Sequence, residues 1–70
     1  MVAIFETIDG GKSIIKGLSQ RKIASIHEEM NDIQKQTVTV TEFDEETDNA
    51  FINVFLKQNI VKITTFDEEW

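Results

Sequence analysis

Hydrophobic and polar residues alternate along much of this chain, and the period of the alternation differs between segments. Residues 2–8 are rich in β-forming side chains and lead into Asp9-Gly10-Gly11. Adjacent glycines after an aspartate favour the positive φ angles of a tight hairpin turn. Residues 12–17, which include two neighbouring isoleucines, then form the returning strand. The start of the chain therefore predicts a β-hairpin.

The period changes to that of a helix after this hairpin. Ser19 is a favoured N-cap residue, and Leu18 and Ile23 occupy the two positions of a hydrophobic staple. The apolar residues that follow recur at spacings of three and four, which places them on one helical face. These residues predict an amphipathic helix over residues 20–35, with an apolar face formed by Ile23, Ile26, Met30 and Ile33.

The second half of the chain predicts two strands and one ambiguous segment. Threonine and valine alternate over residues 37–41, which indicates a half-buried strand, and residues 60–66 form a final strand. Residues 49–58 fit two patterns, because short apolar runs are not resolved by period alone. We favour a helix there, on the stripe of Phe51, Ile52, Phe55 and Leu56. The alternative is a strand, on the alternation of Ala50, Ile52, Val54 and Leu56.

These elements predict one α+β domain over residues 1–70. A helix at 49–58 gives the order β-β-α-β-α-β with a parallel crossover, and a strand there gives β-β-α-β-β-β with antiparallel pairing. In both cases we expect a single small sheet packed on the long helix. A short echo, in which residues 38–46 resemble residues 61–69, repeats a strand followed by an aromatic residue and three acids. Acids in that position suit the positive end of a following helix.

The composition limits how this domain is stabilised. The chain has 70 residues, no cysteine and one histidine, so disulfides and a structural zinc site are excluded. Domains this small usually need such support, and we therefore expect a homodimer or a protein partner. No apolar run approaches the roughly 20 residues of a membrane-spanning helix. With no membrane segment, export signal or cysteine pattern, the expected location is the cytoplasm.

The charge is concentrated in one half of the chain. Residues 1–41 are neutral, whereas residues 42–70 contain two lysines and eight acids and carry the whole net charge of −6. Acidic surfaces repel phosphate backbones, so direct nucleic-acid binding is not expected, whereas a basic protein surface would be attracted. Tryptophan is enriched at binding hot spots. The candidate partner-binding residues are Glu42, Asp44, Glu45, Glu46, Asp48, Asp67, Glu68, Glu69 and Trp70.

Motifs for catalysis or cofactor binding are incomplete. The triplet Gly11-Lys12-Ser13 resembles the end of a phosphate-binding loop, but Glu6 stands where that loop needs its first glycine. His27 and Glu28 resemble half of a zinc-protease helix, but Asn31 stands at the position of the second histidine. We therefore predict no catalytic, metal-binding or cofactor-binding residue, and no enzyme activity.

Residues 43–63 resemble small sporulation-associated proteins of spore-forming Gram-positive bacteria. The similarity lies in the acidic start Phe43-Asp-Glu-Glu, the segment Asn53-Val-Phe-Leu-Lys, and the following Ile60 and Ile63. In those proteins a short helix ending in Asn-x-Phe-Leu precedes a strand, so the resemblance implies a helix here and no defined activity. The overall composition is also similar to that of small prophage-encoded proteins.

Two functions follow from the sequence as hypotheses. The first is a non-enzymatic protein-interaction module, as in a small phage or bacterial accessory protein, acting through its acidic half and Trp70. The second is an inhibitor that mimics nucleic-acid phosphate with its carboxylates and so blocks a nucleic-acid-binding protein. Salt separates the two, because ionic mimicry weakens with ionic strength and apolar anchoring does not.

Overall fold

The computed structural model of the chain describes residues 1–44 and 46–67. Within them the fold is α+β, with one α-helix and five strands in two antiparallel sheets. In chain order the elements are β1 (Val2–Thr7), β2 (Lys12–Ile15), α1 (Gln20–Asn31), β3 (Thr37–Asp44), β4 (Asn49–Leu56), a 3-10 turn (Lys57–Asn59) and β5 (Ile60–Phe66).

The predicted N-terminal hairpin is confirmed. Strands β1 and β2 pair antiparallel, with Ala3 opposite Ile15. The N–H of Thr7 donates to the carbonyl oxygen of Gly11 at 3.0 Å, and Gly10 adopts a φ of +85°, which a residue without a Cβ adopts at no steric cost. Strand β5 pairs with the other edge of β1, so the first sheet has the order β2-β1-β5.

The helix begins as predicted but ends four residues early. The hydroxyl oxygen of Ser19 accepts a hydrogen bond from the N–H of Lys22 at 3.2 Å, as an N-cap residue should. At the other end, the carboxylate of Asp32 accepts from the N–H of Gln34 at 3.0 Å, which offers the backbone an alternative to another helical turn. The predicted helix over residues 20–35 is therefore wrong beyond Asn31, and Ile33 is 97 % exposed.

The favoured helix at residues 49–58 is also wrong, and the strand alternative is correct. Strand β4 pairs antiparallel with β3 along its whole length, from Thr37 opposite Leu56 to Asp44 opposite Asn49. A helix would satisfy its own backbone groups, but it would leave β3 without its partner strand. Glu46 and Asp48 accordingly lie in a hairpin turn, not at the start of a helix. The order of elements is β-β-α-β-β-β, and no parallel crossover is formed among the described residues.

The strands form two sheets, not the single sheet that we expected. The second sheet contains β3 and β4 alone, because the 3-10 turn after β4 redirects the chain into the first sheet. The N–H of Ile8 donates to the carbonyl oxygen of Asn59 at 2.9 Å and fixes that crossing. The two sheets meet where the rings of Phe5 and Phe55 stack, with centroids 4.2 Å apart.

One hydrophobic core joins the helix to both sheets. Phe5 of β1 and Ile26 of α1 are almost completely buried, as is Val38 of β3. None of the described helices is long and apolar enough to cross a membrane. The buried core cluster consists of Ala3, Phe5, Ile15, Leu18, Ile23, Ile26, Val38 and Val40.

Candidate functional site

The pleat of the β3–β4 hairpin separates its side chains into two faces. Val38 and Val40 of β3 are buried, and Val38 lies opposite Phe55, so these residues define the inner face towards the core. Side chains alternate along a strand, and the residues between them point the other way. These residues form the outer face of the hairpin: Thr37, Thr39, Thr41, Phe43, Ala50, Ile52, Val54 and Leu56.

The outer face is apolar and accessible. Ile52 is 69 % exposed, Val54 is 60 % exposed and Phe43 is 58 % exposed. Of the nine exposed large hydrophobic residues among those described, five belong to β3 or β4. The outer face contains no charged side chain. Contiguous exposed apolar surface of this kind is typical of interaction sites.

Four of the sequence-predicted acids lie at the end of β3 and in the turn that follows it, and we call them the acidic tip: Glu42, Asp44, Glu46 and Asp48. The carboxylate of Asp44 accepts from the N–H of Glu46 at 3.0 Å, and that of Glu42 accepts from the amide of Asn53 at 2.7 Å. Asp48 adopts a φ of +57°, a conformation that aspartate tolerates in turns. The predicted residues that lie outside the described part of the chain are Glu45, Glu68, Glu69 and Trp70.

Asp67, the remaining predicted acid, follows β5. The end of β5 pairs with the start of β1, where the N-terminal ammonium donates to the carbonyl oxygen of Leu18 at 2.8 Å. The ammonium of Lys22, in the first turn of α1, donates to the carbonyl oxygen of Thr41 in β3 at 2.8 Å. Asp67 thus follows a strand of the first sheet, whereas the acidic tip belongs to the second.

Two lysines lie at the opposite end of the hairpin. A groove of about 370 Å³ lies there, and Lys35 and Lys57 line it; we call these two residues the lysine pair. The ammonium of Lys57 donates to the carbonyl oxygen of Asp32 at 2.6 Å, and Lys35 lies 3.8 Å from the carboxylate of Glu29. The hairpin therefore has an acidic tip at one end, an uncharged outer face, and the lysine pair at the other end.

The two incomplete motifs of the sequence lie in α1 and at the first hairpin. His27 is exposed and its Nε2 forms a hydrogen bond of 3.2 Å with the hydroxyl of Thr65. The triplet that resembles a phosphate loop lies at the first hairpin, where Lys12 lies 3.5 Å from the carboxylate of Glu6. In the parts of the chain that the structure describes, no three carboxylate or histidine side chains are grouped to hold a metal ion.

One carboxylate in the first hairpin has a shifted pKa. The hydroxyl of Thr7 donates to the carboxylate of Asp9, and the N–H of Gly11 donates to the same oxygen at 3.0 Å. These hydrogen bonds favour the charged form and lower the pKa of Asp9, with the Thr7 hydroxyl as the larger cause. Because the side chain is exposed and its donors belong to a turn, we assign it to the stability of that turn.

The sequence prediction missed the outer face of the hairpin. Its signal was present as the alternation of Ala50, Ile52, Val54 and Leu56, but the helix interpretation distributed these residues differently. The acids of the tip were identified, although their grouping depends on a turn between two strands and not on a helix start.

The comparisons with known proteins add no relative. No protein-family model matches the chain, and no curated protein and no solved structure matches it either. The resemblance of residues 43–63 to sporulation-associated proteins stays a prediction, and the helix that it implied is replaced by β4. We therefore infer the function from the shape and charge of the hairpin.

Proposed function

We propose that this chain is a non-enzymatic protein-interaction module that binds its partner through the outer face of the β3–β4 hairpin. The observation that carries the proposal is the exposed, uncharged apolar row of Ile52, Val54 and Leu56 on β4. A chain with a net charge of −6 keeps most of its surface polar, so an apolar row of this length has a cost in solubility. Binding a partner offsets that cost.

The row has the chemistry of an interface core. Branched aliphatic side chains stand on a rigid strand, so little side-chain freedom remains to be lost on binding. The threonines of β3 lie directly opposite, with Thr41 facing Ile52 and Thr39 facing Val54. Their hydroxyl groups supply hydrogen-bonding capacity at the rim of the row, where interfaces are generally polar.

The acidic tip supplies the second part of the proposal. Its carboxylates flank one end of the apolar row, and complementary charge raises the rate of encounter more than the final affinity. The partner that fits is therefore a protein with an apolar patch bordered by lysine or arginine. A cytoplasmic accessory role in a bacterium or phage agrees with the cysteine-free, acidic composition.

A second function has its own supporting observation. The acidic tip brings four carboxylates together at the end of β3 and in the turn that follows it. Carboxylates collected at one end are suited to mimic nucleic-acid phosphate and to occupy the basic site of a nucleic-acid-binding protein. In that case the tip would carry the affinity and the outer face would not.

The experiment is capture from a lysate of the source organism with two matched variants. Val54→Asn introduces a polar group on the outer face, and Val61→Asn makes the same change on β5, where the valine is 67 % exposed. We expect Val54→Asn to weaken capture of the specific partner about tenfold, which corresponds to about 1.4 kcal/mol. The Val61→Asn control should bind as the unaltered chain does.

Elution with salt distinguishes the two functions. Binding through the outer face should persist at salt concentrations that screen exposed charges, because the Debye length falls to about 3 Å at 1 M. If Val54→Asn binds normally while neutralising Asp44 and Asp48 to asparagine abolishes capture, the inhibitor function is supported and the outer face is not the site.

A further inference from the structure

The two long edges of the β3–β4 hairpin differ in what covers them. The N–H of Lys57 donates to the carbonyl oxygen of Gln36 at 2.9 Å, which makes this pair a hydrogen-bonded one. In an antiparallel ladder such pairs recur at every second residue. Counted from that pair, Thr39 and Val54 form a non-hydrogen-bonded pair. The backbone N–H and C=O groups of both residues therefore point away from the hairpin.

The edge of β3 faces the helix. The N–H of Thr39 donates to the carboxylate of Glu29 at 3.4 Å, and the carbonyl oxygen of Thr41 accepts from Lys22 at 2.8 Å. Both contacts involve backbone groups that the register directs outward. They therefore agree with the hydrogen-bonding pattern deduced from the pair of Gln36 and Lys57. Side chains of α1 thus satisfy outward groups of β3.

The edge of β4 has no such cover among the described residues. Within residues 1–44 and 46–67, β4 pairs with β3 alone. Its eight residues include neither proline nor a charged side chain, which are the usual means of blocking an edge. The residues whose N–H and C=O groups point outward at this edge are Ala50, Ile52, Val54 and Leu56.

We propose that a second copy of this chain pairs with the edge of β4, strand against strand and antiparallel, to form a symmetric dimer. The register that uses every outward residue places the two-fold axis at Asn53. Ile52 then lies opposite Val54 of the second copy, Ala50 lies opposite Leu56, and each of these pairs exchanges two backbone hydrogen bonds. A register shifted by two residues in either direction leaves outward groups unpaired.

The same register brings the two aromatic residues of β4 together. Phe51 lies opposite Phe55 of the second copy on the inner face, and a cross-strand aromatic pair is among the favourable pairings in a sheet. Phe51 is 52 % exposed in the single chain, so it has surface to bury. On the outer face, the apolar rows of the two copies become one continuous surface.

Charge selects a second copy and its direction. Antiparallel pairing places Lys57 of one copy opposite Asn49 of the other, next to Asp48 of the acidic tip. Parallel pairing would place the two acidic tips side by side in a chain whose net charge is already −6. The seam itself is uncharged, so no like-charge pair opposes the contact.

The proposed contact uses the edge of β4 in both copies. Pairing yields a four-stranded sheet whose outer strands are the two copies of β3, and contacts from α1 already occupy outward groups of β3. The first sheet, whose edge strands are β2 and β5, takes no part in the contact. Because the two-fold arrangement occupies the β4 edge of each copy, pairing at β4 stops at two copies.

The test is the mass of the purified full chain by sedimentation velocity between about 1 µM and about 1 mM, the range of transient associations. We expect the mass to rise from 8.0 kDa to twice that value. Val54→Pro removes an outward N–H that β3 does not use, and it should raise the dissociation constant at least tenfold. Ile14→Pro is the matched control, because the N–H of Ile14 also points away from its partner strand at an exposed edge.

A cysteine substitution tests the register. With the axis at Asn53, the two copies of Asn53→Cys lie opposite each other at a non-hydrogen-bonded pair, whose Cα separation of about 4.5 Å lies within the range that disulfides span. Mild oxidation should then link the dimer, whereas Ile14→Cys should stay unlinked. The chain has no other cysteine to compete.

Three results would overturn the proposal. They are a monomer at every concentration, a dimer that Val54→Pro leaves intact, and equal weakening by Val54→Pro and Ile14→Pro. The measurement uses the pure protein and requires no other partner. Its failure would therefore leave the proposed function in place, and failure of lysate capture would leave the dimer in place.

Discussion

The stacked rings of Phe5 and Phe55 hold the two sheets together, and removing one ring tests that role. Phe5 is fully buried in the core, and Phe55 is partly buried against it, with the rings parallel and their centroids 4.2 Å apart. The perturbation is Phe55→Ala, which leaves the backbone pairing of β4 with β3 unchanged. We expect this change to destabilise the domain more than the loss of any exposed apolar residue of β4.

The magnitude follows from burial and from the ring contact. Truncating a fully buried phenylalanine to alanine costs about 3–5 kcal/mol, and a partly buried ring should lose about half of that. The stacked pair adds about 1 kcal/mol beyond its buried area. We therefore expect Phe55→Ala to lower the free energy of unfolding by about 2.5–3.5 kcal/mol, against a total of about 4–10 kcal/mol for a chain of this size.

The assay is equilibrium unfolding in urea at low protein concentration, where association does not contribute. Phe51→Ala is the matched control, since Phe51 lies on the same strand and face but is 52 % exposed, and it should cost less than about 1 kcal/mol. The reasoning is refuted if Phe55→Ala costs no more than Phe51→Ala. A lower m-value for Phe55→Ala with an unchanged midpoint would instead indicate that the two sheets unfold separately.

Two further predictions concern local hydrogen bonds. Ser19→Ala removes the acceptor for the N–H of Lys22 and should lower the free energy of unfolding by about 1 kcal/mol. Ser19→Asp keeps an acceptor at this position and should lower the free energy of unfolding much less. An equal loss in both variants, measured in urea, would contradict the N-cap role. For Asp9, an NMR titration should give a pKa below the ordinary 3.8, because Thr7 and Gly11 donate to its charged form. Because the pKa of Asp9 is lower in the folded than in the unfolded chain, the hydrogen bonds to its carboxylate stabilise the fold above about pH 4. This stabilisation is lost as the pH falls through the folded-state pKa. Thr7→Val removes the larger cause and should bring the Asp9 pKa back towards 3.8.

Local signals were sufficient for the first hairpin and for the start of α1. The glycines after Asp9 specify a hairpin, and Ser19 specifies the first residue of α1, because each acts through backbone groups only a few residues away. The end of α1 was missed by four residues. Asp32 competes for the backbone there through its own side chain, and the apolar period continued past it to Ile33.

The second half required knowledge of the tertiary structure. Phe51, Ile52, Phe55 and Leu56 fit a helical stripe as well as they fit an alternating strand, so the sequence of residues 49–58 left both open. The choice was made by β3, whose backbone groups find their partners in β4. The candidate site depends on that choice, since only a strand directs Ile52, Val54 and Leu56 to one exposed face.

Residue pattern and composition were sufficient for the α+β class of this acidic, cysteine-free chain and for the location of its negative charge in the second half. They also identified the acids that the structure collects at the acidic tip. The division of the strands into two sheets, the contacts of α1 with the edge of β3, and the uncovered edge of β4 among the described residues became known only from the tertiary structure. The reason is physical, because sheet edges are set by pairing between distant segments, and no local period records which strand finds which partner.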